Sequence, residues 1–202
     1  MIKKNNKQKG YTIIETMIAV SLFVIIVMAG TNALLNANLL HQKSRDMRSI
    51  IDSLSFVMED MSRNLRTGSD YHCIDGTPDG SETGINPHSC AGGGGVSFQS
   101  SSIPVSRWVY YIGVNPGDNN AFSIFRLVDG ETSATQLTPD EVKINADSSG
   151  FTVASAEPPT GSTPDYRQPM ITIHLVGTIT YKNNIITPFS LQTSVSQRLV
   201  DI

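Results

Sequence analysis

Between Ile13 and Leu40 the chain carries one ionisable side chain, Glu15. An acidic residue in a membrane-spanning helix costs about 2.5–3.5 kcal/mol on insertion scales, and such residues are as a rule functional and paired. Tyr11 lies four positions earlier, on the same face of a helix. Lys3, Lys4, Lys7 and Lys9 all precede Gly10, and no acid stands among them. The pattern is therefore a basic segment, a glycine, and a lone carboxylate five residues on, inside an apolar run.

Other residues invite chemistry with less pattern behind them. His72, Cys73, His88 and Cys90 make a candidate Cys₂His₂ metal set, but their spacing is not that of a recognised zinc module. A disulfide between Cys73 and Cys90 is the preferred reading for an exported domain, and no metal site is assigned. Closing a loop of about 15 residues contributes about 3 kcal/mol in the chain-entropy model. Asp75, Asp79 and Glu82, with Gly76 and Gly80, are candidate calcium ligands without the spacing of an EF-hand; a solvated acidic loop is the default, and no cofactor is expected. The run Gly92 to Gly95 lacks the Lys and Ser/Thr of a phosphate loop and reads as a flexible lead-in to a strand. No serine shows a nucleophile-elbow pattern, and no histidine has an acid or nucleophile at motif spacing. His174 and the trio Trp108, Tyr110 and Tyr111 read as strand residues of core or surface. No catalytic residues are identified.

The elements that must carry these residues follow from periodicity. Residues 1–10 form a polar, basic leader. Residues 11–40 form an apolar helix, longer than the roughly 20 residues a bilayer requires. Residues 41–67 continue it amphipathically: Met47, Ile50, Leu54, Val57, Met61 and Leu65 recur at helical steps, with charges on the other faces. No proline occurs before Pro78, so helix from Tyr11 to Arg66 reads as nearly continuous, roughly 80 Å long, with its stop at Gly68. Gly30 and Asn32 are its weakest formers near the membrane exit. Residues 68–202 form a β-rich head. Within it, Ser69 to Gly95 reads as a long loop. Strands are expected over Val96 to Ser100, Val105 to Gly113, Ala121 to Val128, Val142 to Ile144, Phe151 to Ala154, Met170 to Tyr181 and Ile186 to Val200. Hairpin links are expected at Asp129-Gly130 and Lys182-Asn183-Asn184. The breakers Pro158, Pro159, Gly161 and Pro164 mark a further loop. The fold class is α+β: a long N-terminal helix packed on an antiparallel sheet.

Three readings compete for the N-terminus. A secretory signal peptide is disfavoured by the length of the apolar run and the lack of a small-x-small site. A plain signal anchor leaves Glu15 unexplained. The third reading is a resemblance. Gly10 followed by Tyr11-Thr12-Ile13-Ile14-Glu15 resembles the type IV prepilins and pseudopilins, whose short basic leader ends in Gly and whose fifth mature residue is Glu. Tyr11 departs from the usual Phe and keeps the ring. The resemblance implies cleavage between Gly10 and Tyr11 by a prepilin peptidase, N-methylation of Tyr11, and a role for Glu15 in assembly with other pilin or pseudopilin subunits on an inner-membrane platform. The new amine of Tyr11 and the Glu15 carboxylate then neutralise each other, within or between subunits. The family's long helix on an antiparallel head agrees with the periodicity, and the absence of a proline near residue 30 favours a minor subunit. The alternative is a membrane-anchored extracytoplasmic binding module or adhesin that does not polymerise.

Bulk properties exclude other classes. The chain has 202 residues, 39% hydrophobic and 16% charged, with two cysteines, which excludes disordered and collagen-like chains. The net charge is −3, and removal of the leader lysines makes it more negative. Such a head is a poor generic partner for nucleic acid, whose phosphates need Lys and Arg. The basic leader places the N-terminus in the cytoplasm and the head outside it, with membrane lipid around the apolar span.

Overall fold

In the computed structural model, residues 10–75, 86–101, 104–158, 167–181 and 185–198 are described. Helix α1 runs from Ile13 to Thr67, without interruption at Gly30 or Asn32. Its termination has three causes. Gly68 follows, and its N–H reaches the Leu65 carbonyl at 3.4 Å. The buried Tyr71 hydroxyl sits on the Leu65 and Gly68 carbonyls, adding a partner for acceptors exposed at the helix end. A Cβ at Gly68 would collide with the Phe98 ring.

The chain divides into two units, residues 1–46 and residues 47–202. In the first, every described residue from Gly10 to Gln42 is exposed. In the second, Ile50, Leu54, Val57, Met58, Met61 and Leu65 form the buried stripe of α1 and join one core with the sheet. The amphipathic periodicity therefore marks the stripe that packs.

The sheet has ten strands: β1 (Ser69–Ile74), β2 (Cys90–Gly93), β3 (Gly95–Gln99), β4 (Arg107–Asn115), β5 (Asp118–Val128), β6 (Thr135–Gln136), β7 (Val142–Ile144), β8 (Gly150–Ala154), β9 (Met170–Tyr181) and β10 (Ile185–Ser196). All pairings between them are antiparallel. The path runs β1-β3-β4-β5-β7-β9-β8-β2, with β10 on β9 and β6 on β5. Strand β9 explains the long alternating run: Ile171, Ile173, Leu175 and Ile179 are buried. Its N-terminal half pairs with β8, its C-terminal half with β7, and its whole length with β10. Pro188 lies within β10, where an edge strand tolerates the missing N–H.

Several expectations are corrected. The segment from Ser69 to Gly95 is not all loop, because it supplies β1 and β2. The glycine run is part of the sheet. A Cβ at Gly93 would meet the Cys73 sulfur at 2.5 Å and the Ile74 carbonyl at 2.7 Å, so glycine there permits close packing. Strands β4 and β5 extend further than alternation indicates, to a tight hairpin at Pro116-Gly117 where the Asn115 side chain accepts the Gly117 N–H at 2.8 Å. The Asp129-Gly130 turn leads instead to the short β6, which the sequence did not mark. It turns where Gly130 adopts φ +89°, a conformation that suits glycine. Lys182 to Asn184, and Pro159, Gly161 and Pro164, lie outside the described residues.

Candidate functional site

Gly10, Tyr11 and Thr12 precede the helix and are exposed. Thr12 begins the hydrogen-bonded spiral. Its carbonyl accepts from the N–H groups of Glu15 at 3.1 Å and Thr16 at 3.2 Å. Its hydroxyl oxygen accepts from the Glu15 N–H at 3.3 Å. Thr12 is thus the N-cap, and Glu15 stands at the third helical position, as in a Ser/Thr-x-x-Glu capping box. This role is legible in the run Thr12-Ile13-Ile14-Glu15. The bond between Gly10 and Tyr11 lies outside the helix.

An acid in the first turn gains about 0.3–1 kcal/mol from the helix dipole. That is well below the insertion cost of about 2.5–3.5 kcal/mol, so capping alone does not account for Glu15 in an apolar span. The span's hydroxyls are handled differently. Thr16 donates to the Ile13 carbonyl at 2.8 Å, and Ser21 to the Met17 carbonyl at 2.5 Å. Thr31 reaches the Val27 and Met28 carbonyls at 3.0 Å. Each is satisfied within the helix, as a hydrocarbon environment requires. Among the described residues, the Glu15 carboxylate has no hydrogen-bond or ion-pair partner.

Residues 5–31 match the family model described as the prokaryotic N-terminal methylation motif. The chain has a type IV pilin-like, prepilin-type N-terminus. Neither a curated protein nor a solved structure matches the chain. The motif takes in Gly10, Tyr11 and Glu15 and leaves the head untouched. The long apolar helix and the antiparallel head agree with the fold expected from the motif, and the helix is long and apolar enough to cross a membrane.

The second group of candidates lies where the sheet path ends. Strands β1 and β2, the two ends, meet there. The Cys73 N–H donates to the His88 carbonyl at 3.0 Å and the His88 N–H to the Tyr71 carbonyl at 3.1 Å. Cys73 and Cys90 are joined by a disulfide with Cα atoms 5.8 Å apart, within the usual span. The four-ligand zinc reading is set aside. Both sulfurs are consumed in the disulfide, so no thiolate remains to ligate. Adjacent strand residues also point to opposite faces, and Cys73 is buried while His72 is only partly so. Asp75 approaches the two sulfurs, but Asp79 and Glu82 lie outside the described residues. The imidazoles of His72 and His88 do come together, with ring centroids 5.6 Å apart. Sixteen residues separate them in sequence, and only the strand pairing reveals their contact.

The remaining candidates are structural. Tyr110 is fully buried, stacks on Phe98, and accepts a hydrogen bond from Asn64 at 2.9 Å. Burial is the main reason its hydroxyl is pushed up to about 12, with the Asn64 bond opposing the shift. Arg126 lies over the Trp108 ring at 5.1 Å. His174 alternates with buried Ile173 and Leu175 and is half-buried on the opposite face of β9. A cleft of about 450 Å³ between α1 and β10 is lined by Glu59, Arg63, Arg66 and hydroxyl side chains; it holds no nucleophile paired with a base.

Proposed function

We propose that this chain is a structural subunit, a minor pilin or pseudopilin, and not an enzyme. In this reading a prepilin peptidase cuts between Gly10 and Tyr11 on the cytoplasmic side and methylates the new amine. The apolar part of α1 holds the subunit in the inner membrane with its head outside, until an assembly platform transfers it into a filament among other subunits. The carrying observation is the lone Glu15 carboxylate, five residues beyond Gly10 within the N-terminal methylation motif. After cleavage the amine of Tyr11 and the carboxylate of Glu15 are two charges in one apolar layer. Each is costly alone and much less so when paired. Pairing across subunits fixes the axial register of one helix against the next. Exposed Phe56 on α1 lies on the side away from the buried stripe and supplies apolar contact for such a neighbour.

The test is the N-terminus of protein extracted from its native membrane. Intact mass and N-terminal sequencing should show a chain that begins at N-methyl-Tyr11. An intact leader from Met1 to Gly10 would overturn processing and favour a plain anchor.

A further inference from the structure

We propose that His72 and His88 form a binding site for a divalent transition metal of the zinc type, at the seam where β1 meets β2. This inference stands apart from the filament reading and needs neither cleavage nor assembly.

Geometry is the first support. Zinc binds imidazole nitrogen at about 2.0–2.1 Å, so two imidazoles sharing one ion in a tetrahedral arrangement have centroids roughly 5–6 Å apart. The observed separation is 5.6 Å, with the rings tilted by 40°. Tautomer is the second. The Nδ1 of His72 lies 2.6 Å from the Asn86 carbonyl oxygen. That oxygen can only accept, so Nδ1 carries the proton and Nε2 keeps its lone pair. Metal-binding histidines are held in this way by a carbonyl on the other nitrogen.

Preorganisation is the third. The backbone bonds between His88 and its neighbours on β1 fix the two Cα positions, and the Cys73–Cys90 disulfide pins the same seam. The fourth is charge. Glu157 accepts from the Ser89 N–H at 2.7 Å and from the Ser89 hydroxyl at 2.5 Å. A carboxylate is thereby held one residue from His88. Two imidazoles, with the Glu157 carboxylate nearby on Ser89, suit a borderline cation better than calcium, which takes six to eight oxygens. A bound ion would form a second cross-link, next to the disulfide, across the ends of the sheet path.

The experiment uses the full chain in detergent micelles, stripped with chelator and then titrated with zinc by calorimetry, with thermal unfolding in parallel. We expect one zinc per chain and a raised unfolding midpoint, because a ligand that binds only the folded state stabilises it. His72→Ala and His88→Ala should each weaken zinc at least about 10-fold, as should His88→Gln, which retains a polar side chain at this exposed position. His174→Ala and His41→Ala should leave zinc binding unchanged, and calcium should produce no midpoint shift that depends on His72 or His88. Circular dichroism and an intact disulfide by mass verify that the variants fold. Absence of zinc binding to the wild type, or equal binding by the folded His72 and His88 variants, would overturn the proposal.

Discussion

The two parts of α1 show one helix adapted to two solvents. From Ile13 to Leu40 its apolar residues are exposed on every face, with Ile13 at 82% and Ile26 at 68%. From Met47 onward the apolar residues narrow to a stripe, and Leu54, Met61 and Leu65 are at most 1% exposed. The secondary structure is the same, so propensity does not distinguish the parts. What differs is the partner each requires: hydrocarbon or other helices around the first, and the sheet against the second. A helix apolar all round needs an apolar surrounding, whereas a striped one needs a single packed face.

The comparison breaks most readily at Leu65. Leu65→Ala should destabilise the head by about 2–5 kcal/mol, the range for emptying a core site. The equivalent Val24→Ala, in the exposed span, should leave head stability unchanged. Urea melts of the full chain in detergent, followed by Trp108 fluorescence, read both. Equal effects would mean that the two parts are not distinct. Next comes the disulfide. Replacing Cys73 and Cys90 together by Ser should cost about 3 kcal/mol, read by the same melt, without altering membrane insertion.

The third prediction uses pH. Tyr110 holds its proton up to about 12 when folded, against about 10 in an unfolded chain. Between those values the folded state binds more protons, so stability falls as pH rises. The contribution is complete below pH about 10 and declines by ~2–3 kcal/mol as the pH approaches 12. Tyr110→Phe should remove most of that slope. Tyr111, also raised by burial, should retain a smaller part. An unchanged slope would contradict the burial argument.

The smallest effect is at Thr12. Thr12→Ala removes the cap and should cost about 0.5–2 kcal/mol, confined to the first turn. Faster amide exchange at Glu15 and Thr16, with no change in the head, is the expected signature.

The same contrast explains what the sequence conveyed. The apolar span, the Met47-to-Leu65 stripe, the stop at Gly68 and the alternation in β9 are local patterns, so they were legible. Strands β1 and β2 were not. They are short, carry Asp70 at φ +51° and Gly92 at φ +81°, and are held by partners distant in sequence. The Gly10-to-Glu15 pattern was visible as a motif, whereas the Thr12 cap was written there equally plainly. The approach of His72 to His88 depends on the closure of the sheet path, which no local pattern encodes.

The filament account rests on Glu15, and Glu15→Val tests it most directly. Insertion should be equal or better, since the helix becomes more apolar. Cleavage beside Gly10 should persist. Removing one partner of a buried charge pair costs about 3–5 kcal/mol, or at least about a hundredfold in association. Site-specific crosslinking between apolar helices, scored in native membranes and sheared filaments, should therefore show normal membrane content and near-complete loss of this subunit from crosslinked and filament fractions. Wild-type crosslinking by the Val variant would contradict the assembly role of Glu15 and leave the chain a simple membrane anchor for its head.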